Sequence, residues 1–99
     1  MNKLFFEVVV CYDVQENRPR QRLFDSLKDL GLYSIQKSVF WGFVNNAEFK
    51  AIYREFKQHL NPKTDKAFVI KTSLKNSILT NGYGYIEGEL PNWTEYETI

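Results

Sequence analysis

The chain has 99 residues, 43% of them hydrophobic and 16% aromatic, which excludes a disordered chain and fits a single domain with its own core. A single cysteine, Cys11, excludes an internal disulfide and a cysteine-based zinc site, and no run approaches the roughly 20 apolar residues of a membrane span. All 13 basic residues lie in the first 75 positions with 8 of the 12 acidic ones, a net charge of +5, whereas the remaining 4 acids follow. We expect a cytoplasmic protein whose basic body attracts a polyanion, although a solvated surface of mixed charge explains this pattern as well.

The first third of the chain predicts a strand, a turn and a helix. Phe5–Tyr12 is rich in Val, Phe and Tyr and nearly apolar on both faces, which is typical of a strand in the middle of a sheet. Asp13 ends this strand directly. A polar turn follows, and then a helix with Pro19 in its first turn and Gly31 just past its end. Its apolar stripe consists of Leu23, Phe24, Leu27 and Leu30.

The middle of the chain predicts a hairpin and a second helix. Tyr33–Val44 is extended but long for one strand, so we expect a hairpin or a sharp bend near Lys37–Ser38. The second helix begins at Asn45 or Asn46, because Asn45 and Glu48 have the spacing of a capping box. The pair Asn61-Pro62 ends it.

The last part of the chain gives a weaker pattern. Lys66–Thr72 predicts a strand, and short strands are expected at Ile78–Leu79 and Tyr83–Ile86. The order predicts an α+β, ferredoxin-like fold (β-α-β-β-α-β), with two helices on one face of an antiparallel sheet and an extra C-terminal strand. We expect residues 1–75 to form this domain. Residues 76–99 would be a C-terminal extension that pairs with the other subunit of a dimer, because a sheet edge left open invites such pairing.

Asp13 is the leading candidate for a site residue. An acid at the end of a buried strand is held by a rigid element where a ligand can reach it. The alternative is an ordinary turn or helix-capping aspartate.

Basic side chains open the first helix, where the helix dipole disfavours them. Their presence indicates contact with phosphate, with Arg20 directed toward the sheet margin near Asp13, and Arg18 and Arg22 on the outer face. A surface ion pair between Arg22 and Asp25 is the alternative for Arg22. Tyr12, Phe40 and Trp41 are candidates for stacking on bases, with core packing as the competing role for each.

Three motifs in this order resemble the CRISPR-associated protein 2 family: Tyr12-Asp13-Val14, then Arg20-x-Arg22-Leu23, then Gly31 through Phe40 with Gln36 and Ser38. The resemblance covers roughly residues 4–72. It implies a ferredoxin-like homodimer that bridges integrase dimers (CRISPR-associated protein 1) during spacer acquisition and contacts the DNA backbone. It also implies nucleic-acid-binding roles for Tyr12, Arg20, Arg22 and Phe40.

The resemblance further implies a metal-dependent endonuclease on RNA or DNA. Asp13 would be the catalytic residue and the magnesium ligand, with one Mg²⁺ shared between the two Asp13 of a dimer. The chain departs from some active relatives by carrying Ser34 where they have arginine, which bears on catalysis and not on scaffolding. A ferredoxin-like module that binds or senses a small molecule is the alternative from another functional class.

Overall fold

The computed structural model of the chain describes residues 4–74 and 77–91. The elements, in chain order, are β1 (Phe6–Asp13), α1 (Asn17–Asp29), β2 (Tyr33–Gln36), β3 (Val39–Val44), α2 (Asn46–His59), β4 (Lys66–Lys71), the one-turn α3 (Ile78–Asn81) and a 3₁₀ turn (Glu87–Glu89).

The four strands form an antiparallel sheet in the order β2-β3-β1-β4. The predicted ferredoxin-like α+β fold is therefore confirmed, with the apolar strand β1 in the interior of the sheet. Because side chains alternate along a strand, Val8, Val10 and Tyr12 point to one face, where they join the core beneath α1 and α2. Asp13 consequently points to the opposite face, which α1 and α2 do not cover.

The turn between β2 and β3 lies where the sequence predicts it. Ser38 adopts a left-handed conformation with φ of 64°, and the register of β2 against β3 shifts between Ser34 and Gln36. The Tyr12 backbone N–H donates to the Ser38 carbonyl at 3.1 Å. This bond holds the hairpin turn at the same end of the sheet as Asp13.

The predicted capping box of α2 is also confirmed. The Glu48 N–H donates to Asn45 Oδ1 at 2.8 Å, and the Asn45 N–H donates to Glu48 Oε1 at 2.9 Å. Helix α1 ends with Gly31 in the left-handed region at φ 87°, as expected for a glycine after a helix. It begins at Asn17, which places Pro19 in its first turn as predicted.

The short strands expected at Ile78–Leu79 and Tyr83–Ile86 are wrong. Ile78–Asn81 forms a helical turn because its amides bond locally, with the Gly82 N–H donating to the Ile78 carbonyl at 2.8 Å. Ile78 packs against the sheet with 5% of its surface exposed.

Residues 92–99, the end of the predicted extension, lie outside the described residues. None of the helices in the described ranges is long and apolar enough to cross a membrane.

Candidate nucleic-acid interface at the end of strand β1

Asp13 lies at the margin of the sheet, where its carboxylate is exposed. It is the last residue of β1 and stands opposite Lys66, the first residue of β4. Cross-strand partners project to the same face, so both charged side chains belong to the face that α1 and α2 leave uncovered. Cys11 and Phe68, the next pair on this face, line a shallow groove with them.

The loop after Asp13 is held by hydrogen bonds on both sides of one peptide group, the one that joins Val14 to Gln15. Val14 is buried, and its carbonyl accepts a hydrogen bond from Arg20 Nη1 at 2.7 Å. Arg20 Nη2 donates to the side chain of Asn17. The next backbone amide, that of Gln15, donates to Asp65 Oδ1 at 3.0 Å. The half-buried Arg20 thus lies near Asp13, as predicted, and bonds to the loop that follows it.

Asp65 is a residue that sequence reasoning missed. Its Oδ2 accepts the Asn61 N–H at 3.0 Å, while its Oδ1 accepts the Gln15 N–H. These two backbone donors hold the pKa of the Asp65 carboxyl below its usual range. The sequence feature that could have identified Asp65 is its position at the end of the polar loop from Asn61 to Asp65, directly before a predicted strand.

The rings of Tyr12 and Phe40 belong to the core. Phe40 is 0% exposed and Tyr12 is 7% exposed, and their ring centroids lie 6.3 Å apart at an interplanar angle of 27°. Both rings therefore take the competing role of core packing, and a contact of Tyr12 or Phe40 with nucleic acid stays a prediction. Burial raises the pKa of the Tyr12 hydroxyl, and the nearby positive charge of Arg20 partly offsets that rise.

Arg22 and Arg18 are exposed on the outer surface of α1. Asp25, the alternative ion-pair partner of Arg22, instead accepts from Gln21 Nε2 at 2.9 Å. The geometry leaves Arg22 directed at solvent, where a phosphate can approach it.

Two lysines that were not predicted as site residues lie at the same end of the sheet as Asp13. Lys66 is the cross-strand partner of Asp13. Lys37 lies in the turn between β2 and β3, next to Ser38, whose carbonyl accepts the Tyr12 N–H. Both are exposed. The antiparallel order explains this arrangement, because the end of β1, the end of β2 and the start of β4 share one margin. Their positive charges make that margin attractive to a polyanion.

A single subunit brings too few metal-binding side chains together to hold an ion, as far as its described residues go. Within residues 4–74 and 77–91, no three His, Cys, Asp or Glu side chains lie close enough together to hold an ion. Magnesium commonly takes one or two carboxylates and keeps several waters. The single carboxylate of Asp13 therefore fits part of such a site, and a second copy would be needed to bring another.

The uncovered face divides into two halves. Over β2, β3 and part of β1 it carries the segment after β4, which is held by the Leu74 N–H donating to the Glu7 carboxylate and by Tyr85 Oη donating to Gln36 Oε1 at 2.6 Å. Over β4 it is open, and Phe68 and Ile70 are each 49% exposed. Cys11, at the border, has its thiol pKa raised by burial.

Comparison with known proteins gives a consistent result. The family described as CRISPR associated protein Cas2 matches residues 6–77. The CRISPR-associated endoribonuclease Cas2 1 of Francisella tularensis subsp. novicida (strain U112) is 36% identical over 93 residues, which cover 94% of this chain and 95% of that protein.

Solved structures resemble the fold. Streptococcus pyogenes Cas2 at pH 6.5 is similar with a TM-score of 0.56 and 29% identity, covering 75% of this chain and 92% of that one. A hypothetical protein, TT1823 from Thermus thermophilus, has a TM-score of 0.65 at 22% identity, covers 70% of this chain and 83% of that one, and supports the fold alone.

Proposed function

Because this chain belongs to the CRISPR-associated protein Cas2 family, we propose that it is a homodimeric scaffold for spacer acquisition that holds nucleic acid by its backbone. We further propose that Asp13 gives the dimer a magnesium-dependent endonuclease activity on RNA or DNA. The observation that carries both proposals is the exposed carboxylate of Asp13, which lies opposite Lys66 at the margin of a half-open apolar sheet face.

The open half of the sheet supports the homodimer. Two half-exposed side chains on an edge strand, Phe68 and Ile70, form an apolar surface that a second copy would bury. A two-fold axis parallel to β1 would place the open half, over β4, against the other half of the partner's sheet face. That half is covered by the segment after β4, in which Leu79 of α3 is 42% exposed. Each copy would then cover what the other leaves open.

The same axis has a consequence for chemistry. Rotation about a line parallel to the strands keeps each residue at its own height along the sheet, so the two Asp13 would face each other at one end. Together they supply the one or two carboxylates that magnesium commonly takes from protein. When bound, the ion would stabilise charge on a phosphate oxygen and activate a water.

The basic side chains would hold the nucleic acid. Lys37, Lys66 and Arg22 are exposed, with Lys37 and Lys66 at the Asp13 margin. Contacts to phosphate oxygens fix position without reading sequence, which suits a scaffold for DNA of any sequence. The proposed partners are DNA or RNA and the CRISPR integrase, CRISPR-associated protein 1, with the dimer bridging two integrase dimers.

Asp13→Asn tests the enzymatic part. This change keeps the shape of the side chain and removes its charge, so magnesium-dependent cleavage of single-stranded RNA or duplex DNA should fall about 100-fold or more. Dimerisation, and spacer integration with the integrase, should persist. Asp25→Asn, an exposed carboxylate on α1, is the control and should cleave normally.

Two results would contradict the proposal. Wild-type protein that cleaves neither substrate with magnesium removes the enzymatic function and leaves the scaffold. Wild-type protein that fails to support integration beside its own integrase removes the scaffold.

A further inference from the structure

Asp13 is exposed at the end of its strand, so its position depends on how the chain directly after it is held. Strand β3 pairs with β1 as far as Cys11, and β4 pairs with it as far as Asp13, where Asp13 and Lys66 form the final rung. Beyond that rung the ladder stops. Whatever fixes the peptide group between Val14 and Gln15 restrains the chain where it leaves the sheet, directly after Asp13.

Side chains from two different parts of the chain hold that one peptide group, one through its carbonyl and the other through its N–H. Arg20 of α1 bonds the Val14 carbonyl at 2.7 Å, and Asp65, just before β4, bonds the Gln15 amide at 3.0 Å. The two contacts approach the loop from different elements. They continue the restraint of the β-ladder past its last backbone rung.

Asp65 is itself firmly held. Its second oxygen accepts the Asn61 amide at 3.0 Å, and its own amide donates to the Asn61 carbonyl at 2.8 Å. The Lys63 amide also donates to Asn61 Oδ1 at 3.0 Å. The carboxylate therefore joins two loops, one ending at β4 and one beginning after β1, through ionised-acceptor hydrogen bonds, which are the stronger kind.

We propose that Asp65 is a positioning residue for Asp13, acting through the Gln15 amide. This inference rests on the proposed role of Asp13 as a metal ligand. Asp65 itself need not touch the nucleic acid or the ion. It holds the loop so that the Asp13 carboxylate meets its counterpart at the margin of the sheet, and small displacements of a reacting group cost large factors in rate.

Hydrogen exchange gives the first test, independent of cleavage. In Asp65→Ala the Gln15 amide should exchange at least about tenfold faster, because its acceptor is gone, while the Val10 amide in the centre of β1 should keep its protection. Asn45→Ala, which removes the cap of α2, is the control for general loss of stability. It should leave the difference between Gln15 and Val10 unchanged.

Kinetics give the second test. Asp65→Ala should lower kcat about tenfold and raise the magnesium concentration needed for half-maximal rate, with KM for the nucleic acid within about twofold of wild type. Asp65→Asn keeps one carbonyl oxygen and should recover part of both effects. If the alanine variant does not fold, Asp65→Asn replaces it in both the exchange and the kinetic experiment.

The outcomes separate this inference from the proposed function. Unchanged Gln15 exchange in both variants overturns the positioning role, as does a normal kcat with faster exchange. Wild-type protein without cleavage overturns the enzymatic function, and the exchange experiment then decides alone whether Asp65 holds the loop. A rise in KM alone would place Asp65 in nucleic-acid binding and overturn the inference.

Discussion

Asp13 and Lys66 face each other across the last rung of the ladder between β1 and β4, and both side chains are exposed on the face that α1 and α2 leave uncovered. An exposed pair of opposite charges adds little to stability, since water screens it and both side chains lose freedom. Each charge of this pair is instead suited to bind an ion or group of opposite charge. The carboxylate suits a cation, and the ammonium suits a phosphate.

Lys66→Ala should therefore weaken binding of nucleic acid without changing its sequence dependence. Loss of one phosphate contact lowers the slope of log K against log salt by about one unit. Fluorescence anisotropy with a labelled duplex across a series of salt concentrations measures this slope. Lys57→Ala, on the exposed surface of α2, should leave it unchanged. Equal slopes for wild type and Lys66→Ala would move the phosphate surface elsewhere.

Phe68→Lys should abolish the proposed dimer. Phe68 is 49% exposed on the open half of the sheet, so the change costs the single subunit little but places a charge in the apolar interface. Light scattering coupled to size-exclusion chromatography should give the mass of one chain for the variant and of two for wild type. Tyr53→Lys, which alters a 60% exposed side chain on α2, should remain dimeric. A wild-type monomer at micromolar concentration would contradict the model of the assembly.

Cys11 should report on the same interface. Burial raises its thiol pKa, so less thiolate is present at neutral pH and the group should react more slowly than a free cysteine. Dimerisation would cover it further. The rate of modification by a disulfide reagent should fall as protein concentration rises, and Phe68→Lys should remove that dependence. A rate independent of concentration in wild type would exclude Cys11 from the interface.

Gly42→Ala should destabilise the sheet. A Cβ at this position would lie 2.6 Å from Leu32 Cδ2 and 3.3 Å from Leu32 Cα, so a buried neighbour must move. Overpacking of this kind costs about 1–3 kcal/mol of unfolding free energy. Gly88→Ala meets nothing within 4 Å and should change it by less than about 0.5 kcal/mol. Urea unfolding followed by circular dichroism compares the two.

Periodicity and capping patterns predicted the four strands and two main helices because these depend on local signals. The capping box of Asn45 and Glu48 and the glycine after α1 act within a few residues, and the structure has both. Asp13 at the end of β1 followed from the abrupt end of an apolar run. The arrangement of the sheet followed from the order of the elements.

What the sequence did not reveal depends on contacts between distant residues. The bond from Asp65 to the Gln15 amide spans 50 positions, and the approach of Lys66 to Asp13 requires the strand register. Phe40 was ambiguous because an aromatic residue suits both a core and a base, and only its burial decides. Ile78–Asn81 was misread as extended because four residues carry too little periodicity to separate a helical turn from a strand.

The contribution of Asp65 to stability should depend on pH. Its pKa is lowered in the folded state, so the contribution is present above the unfolded value, about 3.9, and is lost as the pH falls through the folded one. Wild type should be more stable than Asp65→Asn at pH 7, and this difference should shrink below about pH 4. Urea unfolding at several pH values measures it. A difference that stays constant down to pH 2 would show that the charge of Asp65 is not what stabilises the loops.

The Glu7 carboxylate accepts from both Trp41 Nε1 and the Leu74 backbone amide, joining β1 to β3 and to the chain just beyond β4. Moving Leu74 away from Glu7 of its own subunit would break this charge-assisted bond. Any exchange of chain between two copies should therefore begin after Leu74, and each subunit would keep its complete four-stranded sheet. Folding of the subunit would then come first and association second, so assembly could be lost by mutation without unfolding the protein.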